Sequence, residues 1–256
     1  MIHPTAIVHD GAQIHETAEV GPYCVIGPHV KIGAGTRLAS HAVIEGRTVL
    51  GEENQVFSFA SIGAVPQHLK YQGEPTVLEI GNGNIFREFV TVHLGTAQDR
   101  GITKIGDRNA FLAYAHVAHD CVIEDSVVMA NGATLGGHVH VESHAILGGL
   151  VGVHQFVRVG RYAMVGGLSG VSLDIPPYTR SAGFRTKLYG LNVVGLTRHG
   201  FSEERIRRLK QAYRILFQSG ELLDRALERV RAEVEDHPDV DVLTRFLQQS
   251  KRGFCR

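Results

Sequence analysis

The segment Ala115-His116-Val117-Ala118-His119-Asp120-Cys121 sets two imidazoles three residues apart beside a carboxylate, with His138 and His154 further along. Imidazole titrates near neutrality, so such a group can take a proton from a hydroxyl or amine nucleophile. Acyl transfer needs that base, and also a donor aimed at the oxyanion of the tetrahedral intermediate. A backbone N–H beside glycine has no side chain in its way, and Gly137 stands among these histidines. Zinc held by three histidines is a competing reading. In a regular strand, however, His116 and His119 would face opposite ways unless a corner lies between them.

Whether these residues converge depends on the elements that carry them. Every sixth residue from Ile2 to Ile62 is aliphatic (Val8, Ile14, Val20, Ile26, Ile32 and onward). The register breaks after Ile62-Gly63 and returns at Ile80, Phe86 and Val92. It breaks again and then runs from Ile105 to Val171. A repeat of this kind is the signature of a solenoid. It predicts a parallel β-helix in which one residue per hexad points inward and three hexads close a triangular coil. With coils stacked at roughly 4.8 Å, about nine of them make a prism about 40 Å tall. Small residues often follow the inward residue, as at Gly21, Gly27, Gly33 and Gly166. They are read as letting the chain turn each corner tightly. The breaks at about residues 64–77 and 94–104 are expected to be external loops, a common place for binding elements. His3, His9, His15, His29 and His41 fall at outward positions and are read as surface residues.

A coil of three hexads places His119, Gly137 and Gln155, which are 18 residues apart in turn, in one column. His138 and His154 neighbour that column, and His116 precedes it on the same coil. The residues alone allow either a site or a solvated histidine-rich face.

Beyond Asp174-Ile175-Pro176-Pro177 the hexads stop. Ser202 with Glu203 and Glu204 reads as a helix N-cap with an acidic first turn. Ile206, Leu209, Tyr213, Leu216 and Phe217 make an apolar helical stripe, and Ser219-Gly220 ends it. A second stripe runs through Leu223, Leu227, Val230 and Val234 to a break at His237-Pro238, and a short last helix follows. The expected division is a β-helix over 1–190 and a helical domain over 191–256. Lys plus Arg equals Asp plus Glu at 26 each, which argues against a nucleic-acid protein held by a basic face. The three cysteines, Cys24, Cys121 and Cys255, form no C-x-x-C, which fits a reducing compartment. The start MIHPTAIVHD lacks a signal-peptide pattern, and no apolar stretch is long enough to span a membrane. A cytoplasmic protein is expected.

Specific motifs add a resemblance. These are Gln67-His68-Leu69-Lys70-Tyr71 with Gly73-Glu74-Pro75, the His116–Cys121 segment, and Leu135-Gly136-Gly137-His138-Val139. Val153-His154-Gln155-Phe156, Gly190-Leu191-Asn192, Arg198-His199-Gly200-Phe201 and the terminal Arg252-Gly253-Phe254-Cys255-Arg256 continue them. Over essentially its whole length the chain resembles the UDP-N-acetylglucosamine acyltransferases, hexapeptide-repeat enzymes that begin lipid A biosynthesis. The resemblance implies a left-handed β-helix, a homotrimer with sites between neighbouring prisms, and no cofactor. The implied reaction moves a 3-hydroxyacyl group from acyl carrier protein to the sugar 3-hydroxyl.

In that light His119 would be the general base, Asp120 its helper and the Gly137 N–H the oxyanion donor. Gln67, His68, Lys70, His116, His138, His154, Gln155, Asn192, Arg198 and His199 match substrate-binding positions. Gly167, with Met164, sits where the family sets acyl length, and a glycine there implies a longer chain. Three positions depart from the family pattern: His68 stands where Asp is usual, Val194 where Glu is usual, and His199 where Arg is usual. The His68 change opens a second reading, transfer to a 3-amino sugar. The Arg205, Arg207, Arg208, Lys210 and Arg214 group is either a solvated face or a dock for the acidic carrier protein. From other classes, a γ-type zinc hydratase would need stoichiometric metal, and an acetyl-CoA enzyme would be told apart by donor competition. A purely structural protein would not need the imidazole column.

Overall fold

A computed structural model describes all residues, 1–256. The hexads form a left-handed parallel β-helix. Three sheets line its faces, and each coil contributes one short strand to each sheet. The first sheet runs from Ile7–Val8 to Gly170–Val171 and includes His116–Val117, Thr134–Leu135 and Gly152–Val153. The second runs from Gln13–Ile14 to Arg158–Val159, and the third from Glu19–Val20 through Met164–Val165 to a closing hairpin. Inward residues pair with their counterparts on successive coils: Val117 with Leu135 and then Val153, and Ile105 with Ile123 and then Val141. These side chains are buried and fill the prism.

The glycines after the inward residues have a different role from the one expected. Gly21, Gly27, Gly33 and Gly166 do not adopt positive φ. Side chains there would strike the next coil: a Cβ on Gly21 would lie 2.8 Å from Leu38 O, and one on Gly33 would lie 2.6 Å from Gly51. Close coil stacking demands the missing side chain. The turning itself is done two residues later, by non-glycine residues in the left-handed region, among them Tyr23, Asp120, His138, His144, Phe156 and Tyr162.

Polar groups also stack inside one corner. Asn54, Asn84 and Asn109 are buried; Asn84 donates to Asn54 Oδ1 and Asn109 to Asn84 Oδ1, while Asn54 donates to Gly81 O. The two excursions leave the prism as loops between Ser61–Ala64 and Val77–Ile80, and between Thr91–His93 and Ile102–Ile105.

The prism closes with an antiparallel pair, Thr179–Ala182 with Lys187–Leu191, which the hexad pattern did not foretell. Four helices follow: α1 (Val193–Arg198), α2 (Glu203–Tyr213), α3 (Leu223–Glu233) and α4 (Pro238–Gln248). Ser202 caps α2 by accepting from the Arg205 N–H, and a π-helical turn, Arg214–Gln218, prolongs that helix to Ser219. His237-Pro238 breaks the chain by starting α4. The short helix α1 went unseen in the sequence. The helices bury their own core around Leu209, Leu227 and Leu243. The C-terminal segment returns to the prism through Cys255 N–H donating to Asp174 O. All three cysteines are free and buried. No helix is long and apolar enough to cross a membrane.

Candidate active site

The first corner, between the first and second sheets, carries the histidines. His116 lies on a strand of the first sheet, and the chain turns directly after it. That corner resolves the spacing problem, because His116 and His119 both line one groove. Asp120 takes the left-handed conformation, with φ of 58°. This folds its carboxylate back, so that Asp120 Oδ2 lies 2.9 Å from His119 Nδ1. A carboxylate only accepts, so Nδ1 carries the hydrogen and Nε2 keeps its lone pair free for a proton.

Asp120 is fully buried and held from the second excursion. Thr96 donates its N–H to Oδ1 at 3.0 Å and its hydroxyl to Oδ2 at 2.6 Å. Arg100 donates to the Asp120 carbonyl at 2.7 Å. These partners satisfy the buried carboxylate and fix its plane toward the imidazole.

Other rings enclose His119. His138 stands edge-on, with centroids 5.0 Å apart, and His68 meets it at 5.1 Å. His138 donates through Nδ1 to Asp99 at 2.8 Å, and its face stacks on Phe156 at 4.2 Å. His116 bonds the Thr91 hydroxyl at 2.7 Å, and burial pulls its pKa below the ordinary value. Behind it His93 is deeper still; desolvation, with the neighbouring imidazoles, lowers its pKa to about 4, so it stays neutral. Cys121 is no nucleophile, because burial raises its thiol to about 12. His119, Asp120 and His138 are also a group whose ligating atoms lie within 4.8 Å of one another. Those atoms already hydrogen-bond to one another or to the loop, as in a base with an orienting acid.

Gly137 lies one coil further along the column, against the His119 ring. A Cβ on it would be 2.7 Å from Nε2. Its N–H makes no hydrogen bond within the chain, while His138 N–H beside it donates to His119 O. A free backbone donor therefore adjoins the free lone pair of the base.

The groove, about 810 Å³, follows the outer face of the first sheet. Its floor is formed by the outward residues His116, Thr134, Gly152 and Gly170 on successive strands. It ends at Phe184 and Arg185, and Gln67 and His154 flank it. The side chains shrink from imidazole to hydrogen along this line, leaving a smooth trough that leads away from the dyad. Such a surface suits an extended apolar chain with its reactive end at His119.

The sequence-predicted residues do not all meet here. Gln67, His116, His119, Gly137 and His154 line the groove, and Asp120, His68 and His138 surround the base. Lys70 is exposed on the first excursion, and Gln155 is exposed on the coil beyond Gly137. Asn192, Arg198 and His199 belong to a different corner, between the second and third sheets. Asn192 caps α1 and donates to Tyr162 O, and His199 packs on Tyr162 and His144. Gly167 and Met164 lie on the third sheet and the corner after it. Thr96, Asp99 and Arg100 escaped the reading of the sequence. The only signal for them was the break in register just before the His119 coil.

Over its whole length the chain is similar to known proteins. Residues 174–255 match the family model described as UDP N-acetylglucosamine O-acyltransferase, domain 2, and residues 11–46 match that for bacterial transferase hexapeptides. LpxA from Acinetobacter baumannii is 43% identical, with a TM-score of 0.97, covering 100% of this chain and 99% of its own. UDP-N-acetylglucosamine O-acyltransferase from Moraxella catarrhalis is 47% identical, with a TM-score of 0.96 and coverage of 100% and 99%. The UDP-N-acetylglucosamine acyltransferase from Bacteroides fragilis is 39% identical, with a TM-score of 0.97 and full coverage of both chains.

Proposed function

The chain belongs to the UDP-N-acetylglucosamine O-acyltransferase family, and on that premise we propose that it transfers a 3-hydroxyacyl group from acyl carrier protein to the 3-hydroxyl of UDP-N-acetylglucosamine. The observation that carries this mechanism is the buried His119–Asp120 pair beside the free Gly137 N–H. His119 Nε2 takes the proton of the sugar hydroxyl as its oxygen attacks the thioester carbonyl. The Gly137 N–H donates to the oxyanion that forms. The C–S bond then breaks, and the proton on His119 passes to the leaving thiolate. The acyl chain lies along the trough over Gly152 and Gly170. Gln67, His68, Lys70, His116, His138, His154 and Gln155 hold the sugar and the reacting end of the acyl donor.

The site is completed by three-fold association. Asn192, Arg198 and His199 lie on another corner of the prism, so they reach this groove only from a neighbouring copy. The same holds for Gly167 and Met164, which would then bound the acyl chain. The corner between the third and first sheets supports this assembly: Tyr23, Phe59, Phe89, Tyr114, Leu150 and Leu168 form an exposed apolar ridge along it. Carrier protein would dock on α2. Arg205 and Arg208 are engaged, with Asp239 and with Glu204 and Glu235, which leaves Arg207, Lys210 and Arg214 to meet its acidic surface. The β-helix over 1–190 carries the chemistry in this scheme, and 191–256 supplies docking and nucleotide contacts in the cytoplasm.

The direct test offers the purified protein 3-hydroxyacyl carrier protein with UDP-N-acetylglucosamine or its 3-amino analogue, and weighs the products. Ester product with the ordinary sugar is expected. Product only with the amino sugar would move the chemistry to amide formation at the same base, with His68 as the reason. No product with either would end the acyltransferase reading.

The trough makes a second prediction. A Cβ on Gly152 meets nothing within 4 Å, so Gly152→Leu folds normally and fills the floor. We expect KM for the acyl donor to rise about tenfold or more, from about 1.4 kcal/mol of lost chain binding, with little change in Tm. An unchanged KM would place the acyl chain elsewhere.

A further inference from the structure

Two imidazole–carboxylate pairs, not one, occupy the first corner. Besides His119–Asp120, His138 on the next coil donates through Nδ1 to Asp99 Oδ2 at 2.8 Å. Asp99 comes from the second excursion, 39 residues earlier, the same loop whose Thr96 and Arg100 grip Asp120. We propose that Asp99 is a positioning residue for the transfer, fixing the tautomer and the ring plane of His138 beside the general base. The inference rests on the reading of this corner as the acyl-transfer site.

The contacts define what Asp99 adds. The His138 ring lies flat on Phe156, with an interplanar angle of 6°, and edge-on to His119 at 89°. Stacking on Phe156 still permits rotation of the ring by a half turn, which would put Cδ2 where Nδ1 stands and Cε1 where Nε2 stands. Hydrogen bonding to a carboxylate removes that freedom, because only a protonated nitrogen can donate to Asp99. The competing acceptor, Asp120 Oδ2, is 4.0 Å from His138 Nδ1 and is already engaged by Thr96 and His119. The one cation paired with Asp99 is Arg100, at 3.7 Å. Asp99 thus assigns the hydrogen to Nδ1 and leaves Nε2 for the substrate, as Asp120 does for His119. One loop sets both imidazoles.

Asp99 sits on an exposed loop, so its replacement should spare the fold. In Asp99→Ala we expect kcat to fall about tenfold through loss of orientation. KM should stay within about twofold, and Tm should not move. Asp99→Asn keeps an accepting oxygen and should restore most of the rate. Histidine ¹⁵N spectra well above the imidazole pKa should show His138 protonated on Nδ1 in wild type and Asp99→Asn, and as a tautomer mixture in Asp99→Ala. An unaltered kcat in Asp99→Ala, an unaltered tautomer, or a fall in Tm shared by both variants would overturn the proposal. Failure of the acyl-transfer reading shows separately, as an inactive wild type, and the tautomer measurement still decides the Asp99–His138 contact.

Discussion

Replacing His119 with alanine should lower kcat by about 10³-fold, within the range that a positioned general base supplies. Circular dichroism and Tm should change little. The residue is only 8% exposed, but it sits at a corner outside the aliphatic prism and is no part of the core stack. Asp120→Asn tests the same unit from its other end. The Thr96 N–H, which donates to Oδ1, would hold the carboxamide oxygen of an asparagine there and turn its amide N–H₂ toward Nδ1, which would push the hydrogen to Nε2 and abolish the base. In the Ser-His-Asp template that swap costs about 10⁴-fold. Here it should approach the loss seen on deleting the imidazole. The two losses should not add, because either change alone disables the pair. A His119→Ala protein that retains more than about a tenth of the rate would move the base to another residue, with His138 or His116 next to be tested.

How much of this was legible in the chain depends on the range of each contact. The inward aliphatics announced the prism because a coil repeats every three hexads and each repeat faces the same neighbour. The column of His119, Gly137 and Gln155 followed from that period alone. The reach of Asp120 to His119 did not, because it depends on a non-glycine residue taking positive φ, which no side-chain pattern signals. Thr96 and Asp99 were hidden for a different reason. They arrive from a loop outside the repeat, across 24 and 39 residues, where periodicity says nothing. The hairpin 179–191 carries no hexads and the helix α1 is six residues long, so neither gave a periodic signal. Asn192, Arg198 and His199 came forward only through the motif resemblance. Within one chain their surroundings are a helix cap and an aromatic stack, and their proposed contacts depend on a second copy.

The glycine against the base makes the second large prediction. Gly137 does not occupy positive φ, so its backbone would accept alanine. Its surroundings would not. The added methyl would stand 2.5 Å from His119 Cε1 and 2.7 Å from Nε2. The imidazole cannot easily retreat, because Asp120 holds Nδ1 and the edges of His68 and His138 close on it. Relief comes by tilting the ring and stretching its bond to Asp120, which shifts Nε2 away from the donor N–H. A misplacement of about 1 Å costs on the order of 10²-fold in rate, and we expect that loss in kcat for Gly137→Ala. Gly149 supplies the control. It holds the same place in its hexad on another corner, where an added Cβ would meet only Asn131 O at 3.5 Å. This corner is also the one proposed to pack between copies, so Gly149→Ala should match wild type in both Tm and oligomeric state, and a loss confined to Gly137→Ala then cannot come from the coil itself. Combining Gly137→Ala with His119→Ala then separates the two parts of the mechanism. If the methyl acts only by displacing the imidazole, the double variant should be no slower than His119→Ala. A further loss of about tenfold or more would mean that the methyl also keeps the oxyanion from the Gly137 N–H, so that the glycine serves the base and the oxyanion separately.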